Sequence, residues 1–154
     1  YKIHLDQQGA NYVCIFGGKL TTYRLLAKEC VDSWSNIFPN IKSCQTEDLK
    51  LPGSDFSSVK QLKNSLHIKF PKLPKTLLDY YALTYGSRTF ELLENLIEIK
   101  DLGEKFTELM YQVEVDFLVR TEWATSTNDI LWSRTKQGLF IKDKQQSRLE
   151  KYLK

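Results

Sequence analysis

Cysteine is scarce in these 154 residues: Cys14, Cys30 and Cys44 are an odd number with no CxxC pair, and only His4 and His67 could join them as metal ligands. That excludes a disulfide framework and a zinc site, and free thiols suit a reducing cytosol. Long apolar runs are missing too. The longest, such as Tyr12 to Phe16, fall far short of the ~20 residues that cross a bilayer, and with no charged-then-apolar leader neither a spanning segment nor a signal peptide is expected. No sign of charge dominates, because 22 Lys+Arg against 19 Asp+Glu leave +3, too little to imply nucleic-acid binding. The common nucleotide-binding loops are also absent. There is no GxGxxG, and the Gly18-Lys19 pair fails as a P-loop because Val13 stands where the first glycine belongs and Leu20 replaces the magnesium-binding Ser/Thr. No nucleophile elbow precedes a serine, so a Ser-His-Asp site built on His67 has no support.

What is present is a globular composition, 42% hydrophobic, 27% charged and 12% aromatic, of a size suited to one domain or a small domain with a short extension. The chain opens on Tyr1-Lys2-Ile3-His4-Leu5, which reads like the inside of a strand, so a piece of a longer protein is expected. Alternation through residues 1–16 around Gln7 to Asn11 predicts a hairpin. After Gly17-Gly18 the period shifts to that of a helix from about Lys19 to before Pro39. Residues 1–35 are thus a strand and helix unit. Residues 36–58, with Pro39, Pro52 and Gly53, read as a linker, and residues 59–154 as an all-helical domain. In that part helices are expected over Val59–Leu66, Lys75–Tyr85, Ser87 to about Ile99 and Thr107 to about Trp123. Two more are expected behind capping boxes at Ser126 with Asp129 and at Asp143 with Gln146, the first running to Gly138. The fold class is mainly α, a helical bundle preceded by a short β-hairpin and helix.

The chemistry concentrates at Gly17-Gly18-Lys19-Leu20-Thr21-Thr22-Tyr23-Arg24. Two glycines let the backbone turn sharply and a ligand approach the main chain, while a helix start and Lys19 favour an anion there. This stretch, after an apolar strand, resembles the C-terminal flavin-contacting motif of bacterial FAD-dependent, respiratory-type glycerol-3-phosphate dehydrogenases. The likeness continues through Leu51-Pro52-Gly53, Tyr85-Gly86-Ser87, Asp101-Leu102-Gly103, Glu114 to Ala124, Leu131 to Gly138 and Gln145 to Arg148, and is weak between Asn36 and Lys75. The resemblance implies a flavoenzyme that oxidises glycerol 3-phosphate to dihydroxyacetone phosphate, with FAD as hydride acceptor and quinone downstream at the cytoplasmic face of the membrane. It implies that residues 1–35 complete an upstream FAD domain, that Lys19 sits beside flavin and substrate with Thr21 nearby, and that Gly17, Gly18 and Leu20 supply the backbone approach. The fragment alone is expected to bind no FAD and to be inactive.

Other residues invite competing readings. Glu114, Asp116 and Glu122 suggest paired carboxylates, but three acids on one helix are expected to form its solvated face. Trp123 and Trp132, with Tyr80, Tyr81, Tyr85 and Tyr111, are expected in the core, since no basic groove interleaves them for stacking on bases. From Arg134 to Lys154 seven cations face only Asp143 and Glu150. This basic end suits acidic partners or an anionic membrane surface, or is a solvated helix face. The alternative function is therefore an independent helical interaction module, serving homodimerisation or membrane docking.

Overall fold

A computed structural model describes residues 1–154. The chain falls into two compact units, Tyr1–Leu49 and Lys50–Lys154. In the first, β1 (Lys2–Asp6) pairs antiparallel with β2 (Tyr12–Phe16), Ile3 opposite Ile15 and Leu5 opposite Val13. Asp6 holds the turn, accepting hydrogen bonds from the Gln8 N–H at 2.8 Å and the Tyr12 hydroxyl at 2.8 Å. A 3-10 turn, Leu20–Thr22, leads into α1 (Tyr23–Asp32). No residue of this unit is buried, and Phe16, Leu20 and Tyr23 are among its exposed apolar side chains.

The second unit holds the buried core. Helices α2 (Val59–Lys69) and α3 (Lys75–Tyr85) form an antiparallel hairpin whose break is the Phe70 to Pro74 segment. Ser58 caps α2 by accepting from the Gln61 N–H at 3.2 Å. Leu62, Leu66, Leu77, Leu78 and Tyr81 pack in one cluster with Leu92, Leu93 and Phe117. A second cluster gathers Phe106, Met110, Val115, Leu118, Ile130, Leu131 and Leu149. Helix α5 (Gln112–Glu122) supplies both, turning Phe117 to the first and Val115 and Leu118 to the second. The mainly helical fold with a small hairpin agrees with the sequence.

Several boundaries differ, each because a polar side chain intervenes. The helix expected to reach Ile99 ends as the short α4 (Thr89–Leu92). Asn95 takes a left-handed φ of 64°, and Asp101 collects the Ile97 and Glu98 N–H groups to cap a new 3-10 turn, Ile99–Leu102. The helix expected from Thr107 starts only at Gln112. The Thr107 hydroxyl accepts the Leu109 and Met110 N–H groups, and Lys105 pairs with Tyr111 in an antiparallel bridge, so residues 105–111 form a tight loop. Behind the Ser126–Asp129 box lies a π-helical segment, Asp129–Arg134, which stops short of Gly138 with Thr135 N–H bonded to the Ile130 carbonyl. The last helix, α6 (Asp143–Tyr152), is capped one residue earlier than expected, by Gln145 accepting from the Lys142 N–H at 2.9 Å.

Candidate functional site

Strand β2 delivers the chain to Gly17 and Gly18, whose φ angles of 74° and 141° are open to glycine and strained for other residues. A Cβ on Gly17 would meet nothing closer than the Tyr1 Cα at 4.0 Å, so the glycine is required by its backbone angle and the main chain beside it stays open. Lys19 is extended, and its carbonyl accepts the Thr22 N–H at 3.0 Å and the Thr22 hydroxyl at 3.1 Å, which fixes the turn into α1. Gly18, Lys19 and Thr22 line a shallow recess of about 340 Å³ with Tyr1. Leu20 and Thr21 are exposed next to it. The geometry fits the anionic side of a flat cofactor. Adjacent residues without side chains admit close contact, and Lys19 adds a full charge at a turn whose first N–H groups have no helical partner.

In the helical unit the motifs of the sequence explain one another. Gly53 and Gly86 touch: a Cβ on Gly86 would lie 2.0 Å from the Gly53 carbonyl oxygen, which instead accepts the Ser87 N–H at 2.8 Å. Leu51-Pro52-Gly53 and Tyr85-Gly86-Ser87 are therefore two halves of one joint. A Cβ on Gly103 would strike the Gln112 side chain at 2.5 Å, and one on Gly138 the Trp132 ring at 2.4 Å. Arg134 donates from Nε and Nη2 to the Glu122 carbonyl at 3.0 and 2.9 Å, closing the end of α5 where Trp123 adopts φ 55°. Arg88 pairs with Glu91 and Glu122 and lies over the Phe117 ring at 4.7 Å.

Glu114 overturns the expectation of a solvated acidic face. It is fully buried on α5, and its Oε1 accepts the Tyr80 hydroxyl at 2.9 Å and the Tyr85 hydroxyl at 2.6 Å, while Oε2 has no partner. Burial raises its pKa to about 7, against the two tyrosine hydrogen bonds, which lower it. Burial and the neighbouring Glu114 charge push both tyrosines well above the usual phenol range. Glu114 was legible in principle, because it stands three and four residues before the core positions Phe117 and Leu118, on their face of the helix. Asp116 and Glu122 do stay partly exposed, bonded to the Tyr152 hydroxyl and Arg88. The tryptophans also depart from expectation: Trp123 is 87% exposed and Trp132 44%, whereas Tyr81 and Tyr111 are buried. Within the basic tail Arg134, Lys136 and Arg148 are committed to the Glu122 carbonyl, the Trp132 carbonyl and the Glu104 carboxylate. Lys142, Lys144, Lys151 and Lys154 make no ion pair.

A family model for the C-terminal domain of alpha-glycerophosphate oxidase matches residues 44–154. The chain belongs to that family. Its relatives extend the match to the hairpin and the Gly17 to Arg24 turn. The chain is 37% identical over 152 residues, 98% of its length, to the aerobic glycerol-3-phosphate dehydrogenase of Escherichia coli, and 41% identical over 140 residues, 90% of its length, to the glycerol-3-phosphate dehydrogenase of Pseudomonas aeruginosa. It is 35% identical over 144 residues, 92% of its length, to the D-erythritol 1-phosphate dehydrogenase of Brucella abortus. The chain spans 30%, 27% and 29% of these three relatives. As a member of this family it carries the family domain in its helical unit, while the candidate cofactor turn lies before the matched residues.

Proposed function

We propose that this chain is the terminal part of an FAD-dependent glycerol-3-phosphate dehydrogenase, oxidising glycerol 3-phosphate to dihydroxyacetone phosphate and passing electrons to quinone at the inner face of the cytoplasmic membrane. The observation that carries the reading is the Gly17-Gly18-Lys19 turn, held open by two positive-φ glycines with a lysine at its lip. FAD, when bound, would supply the hydride acceptor. Gly17, Gly18 and the backbone of Leu20 would admit it to van der Waals contact, Lys19 would stabilise negative charge at the turn, and Thr21 would stand beside it. Exposed apolar residues of the hairpin, Ile15 and Phe16 among them, support a reading in which an upstream flavin domain covers this unit. The erythritol-phosphate relative has a named substrate of the same class as glycerol 3-phosphate, a polyol monophosphate.

The test is Lys19→Met in the full-length protein, which keeps much of the stem and removes the charge. A lower flavin reduction potential and a hydride-transfer step slowed by ~10²–10³ are expected, the usual loss when one preorganised electrostatic partner is removed. Lys19 is exposed, so the fold should survive. Unchanged potential and turnover would make Lys19 a solvent lysine and remove the basis of the proposal.

A further inference from the structure

The helical unit contains a cavity of about 470 Å³ between α3, the loop after Phe106 and the start of α6, within the ~300–1,000 Å³ range of small-molecule sites. Its apolar wall is the Tyr80 ring, Leu109 and Phe140, and its polar lining includes Thr107, Gln137 and Lys142. Thr107 and Gln137 are 4% and 5% exposed and bond each other at 3.0 Å, so the polar floor is built before anything binds.

Hydrogen-bond accounting decides what the floor can accept. The Thr107 hydroxyl donates to Gln137 Oε1 and accepts the Leu109 and Met110 N–H groups, which leaves it nothing to offer. Gln137 spends one lone pair of Oε1 on Thr107, and its NH₂, with two N–H donors, faces the Tyr80 hydroxyl with one and keeps the other. Gln145, also on the lining, spends one lone pair of Oε1 on the Lys142 N–H and keeps both N–H donors of its NH₂. The Tyr80 hydroxyl proton is committed to Glu114. Lys142 adds three N–H donors and a positive charge with no ion-pair partner, while the acid at the rim, Glu108, is already paired with Lys105 at 2.9 Å. A cavity with an apolar wall, donor amides and one free cation calls for an apolar body ending in an anionic acceptor.

We propose that this cavity binds a small organic carboxylate, its hydrocarbon or ring against Leu109, Phe140 and Tyr80 and its carboxylate at Lys142 and the amides of Gln137 and Gln145. The site shares no residue with the Gly17 to Thr22 turn. No bond is made or broken in it, so it is a binding site and not a second catalytic centre.

Calorimetric titration of the full-length protein with benzoate and with hexanoate tests this, with benzyl alcohol as the neutral isostere. Lys142→Met and Phe140→Ala are the variants, both at exposed positions that leave the core untouched. Saturable binding of at least one carboxylate is expected, weaker by about tenfold or more in each variant, and weaker by a similar factor for benzyl alcohol on the wild type, as for loss of a hydrogen bond to a charged group or of an aromatic wall. Absence of saturable binding by both carboxylates, or carboxylate binding that either variant leaves unchanged, or benzyl alcohol binding as tightly as benzoate, would overturn the proposal.

Discussion

A buried carboxyl group with no cation beside it and one unpartnered oxygen holds its proton longer than a surface acid, and Glu114 is such a group. Burial is the leading cause of its raised pKa, about 7 against an ordinary 4.5. The folded state therefore binds a proton more tightly than the unfolded chain, which fixes the sign of the pH dependence. The stability Glu114 contributes is full below about pH 4.5, falls as pH rises, and is gone above about pH 7, a change on the order of 3 kcal/mol. Urea unfolding of the wild type across that window should show the decline, and Glu114→Gln should flatten it, because an amide carbonyl still accepts from Tyr80 and Tyr85 but does not titrate. Equal slopes in the two proteins would mean that folding does not shift the Glu114 pKa. Lys19 was plain at the sequence level, because two glycines before a lysine and a helix start advertise themselves. Glu114 was not. Its neighbours Asp116 and Glu122 made an acidic face the natural reading, and its phenol partners lie about thirty residues away on α3.

Among elements, what periodicity shows well is where helices run through apolar repeats, and α3 lies over the Lys75–Tyr85 span expected of it. What it shows poorly is where side chains stop them. Asp101 and Thr107 each satisfy two backbone N–H groups, and in doing so end one expected helix and delay another. The glycine motifs are a third case. Their spacing marks turns, yet nothing in the order of residues says that Gly53 and Gly86 meet. The contact leaves no room for a methyl group, and Gly86 also holds a φ of 58°. Gly86→Ala should destabilise the helical unit by about 3 kcal/mol or more, from backbone displacement together with strain. Gly9→Ala is the matched control, since a Cβ there meets nothing within 4 Å. Thermal unfolding followed by circular dichroism separates them, and a Gly86→Ala melting point equal to that of Gly9→Ala would show that the joint yields.

At the scale of the molecule the two units differ in how they could be stable. Lys50–Lys154 buries two apolar clusters shared through α5, whereas Tyr1–Leu49 buries no residue at all. A lone two-stranded hairpin is at best marginal in water, and β1 pairs with β2 only. The proposed flavin site also lacks a dinucleotide loop to hold the pyrophosphate. The 154-residue chain by itself is thus expected to purify without flavin, and a stoichiometric flavin absorbance band would contradict that.

The same contrast sets the pattern of amide exchange. Opening a backbone hydrogen bond in α5 must unpack Val115, Phe117 and Leu118, each 1% exposed or less, so those amides should exchange only through large-scale unfolding of their unit. Opening β2 exposes little that is not already wet: Ile15 is 46% exposed and Phe16 59%. Hydrogen exchange by mass spectrometry on the dilute chain should therefore label Tyr12–Phe16 at least about tenfold faster than Gln112–Glu122, with the difference closing in a full-length protein whose upstream domain covers the hairpin. Protection of Tyr12–Phe16 equal to that of α5 in the dilute chain would mean that the hairpin finds its stability without a covering domain, and the case for an upstream domain covering Ile15 and Phe16 would fail.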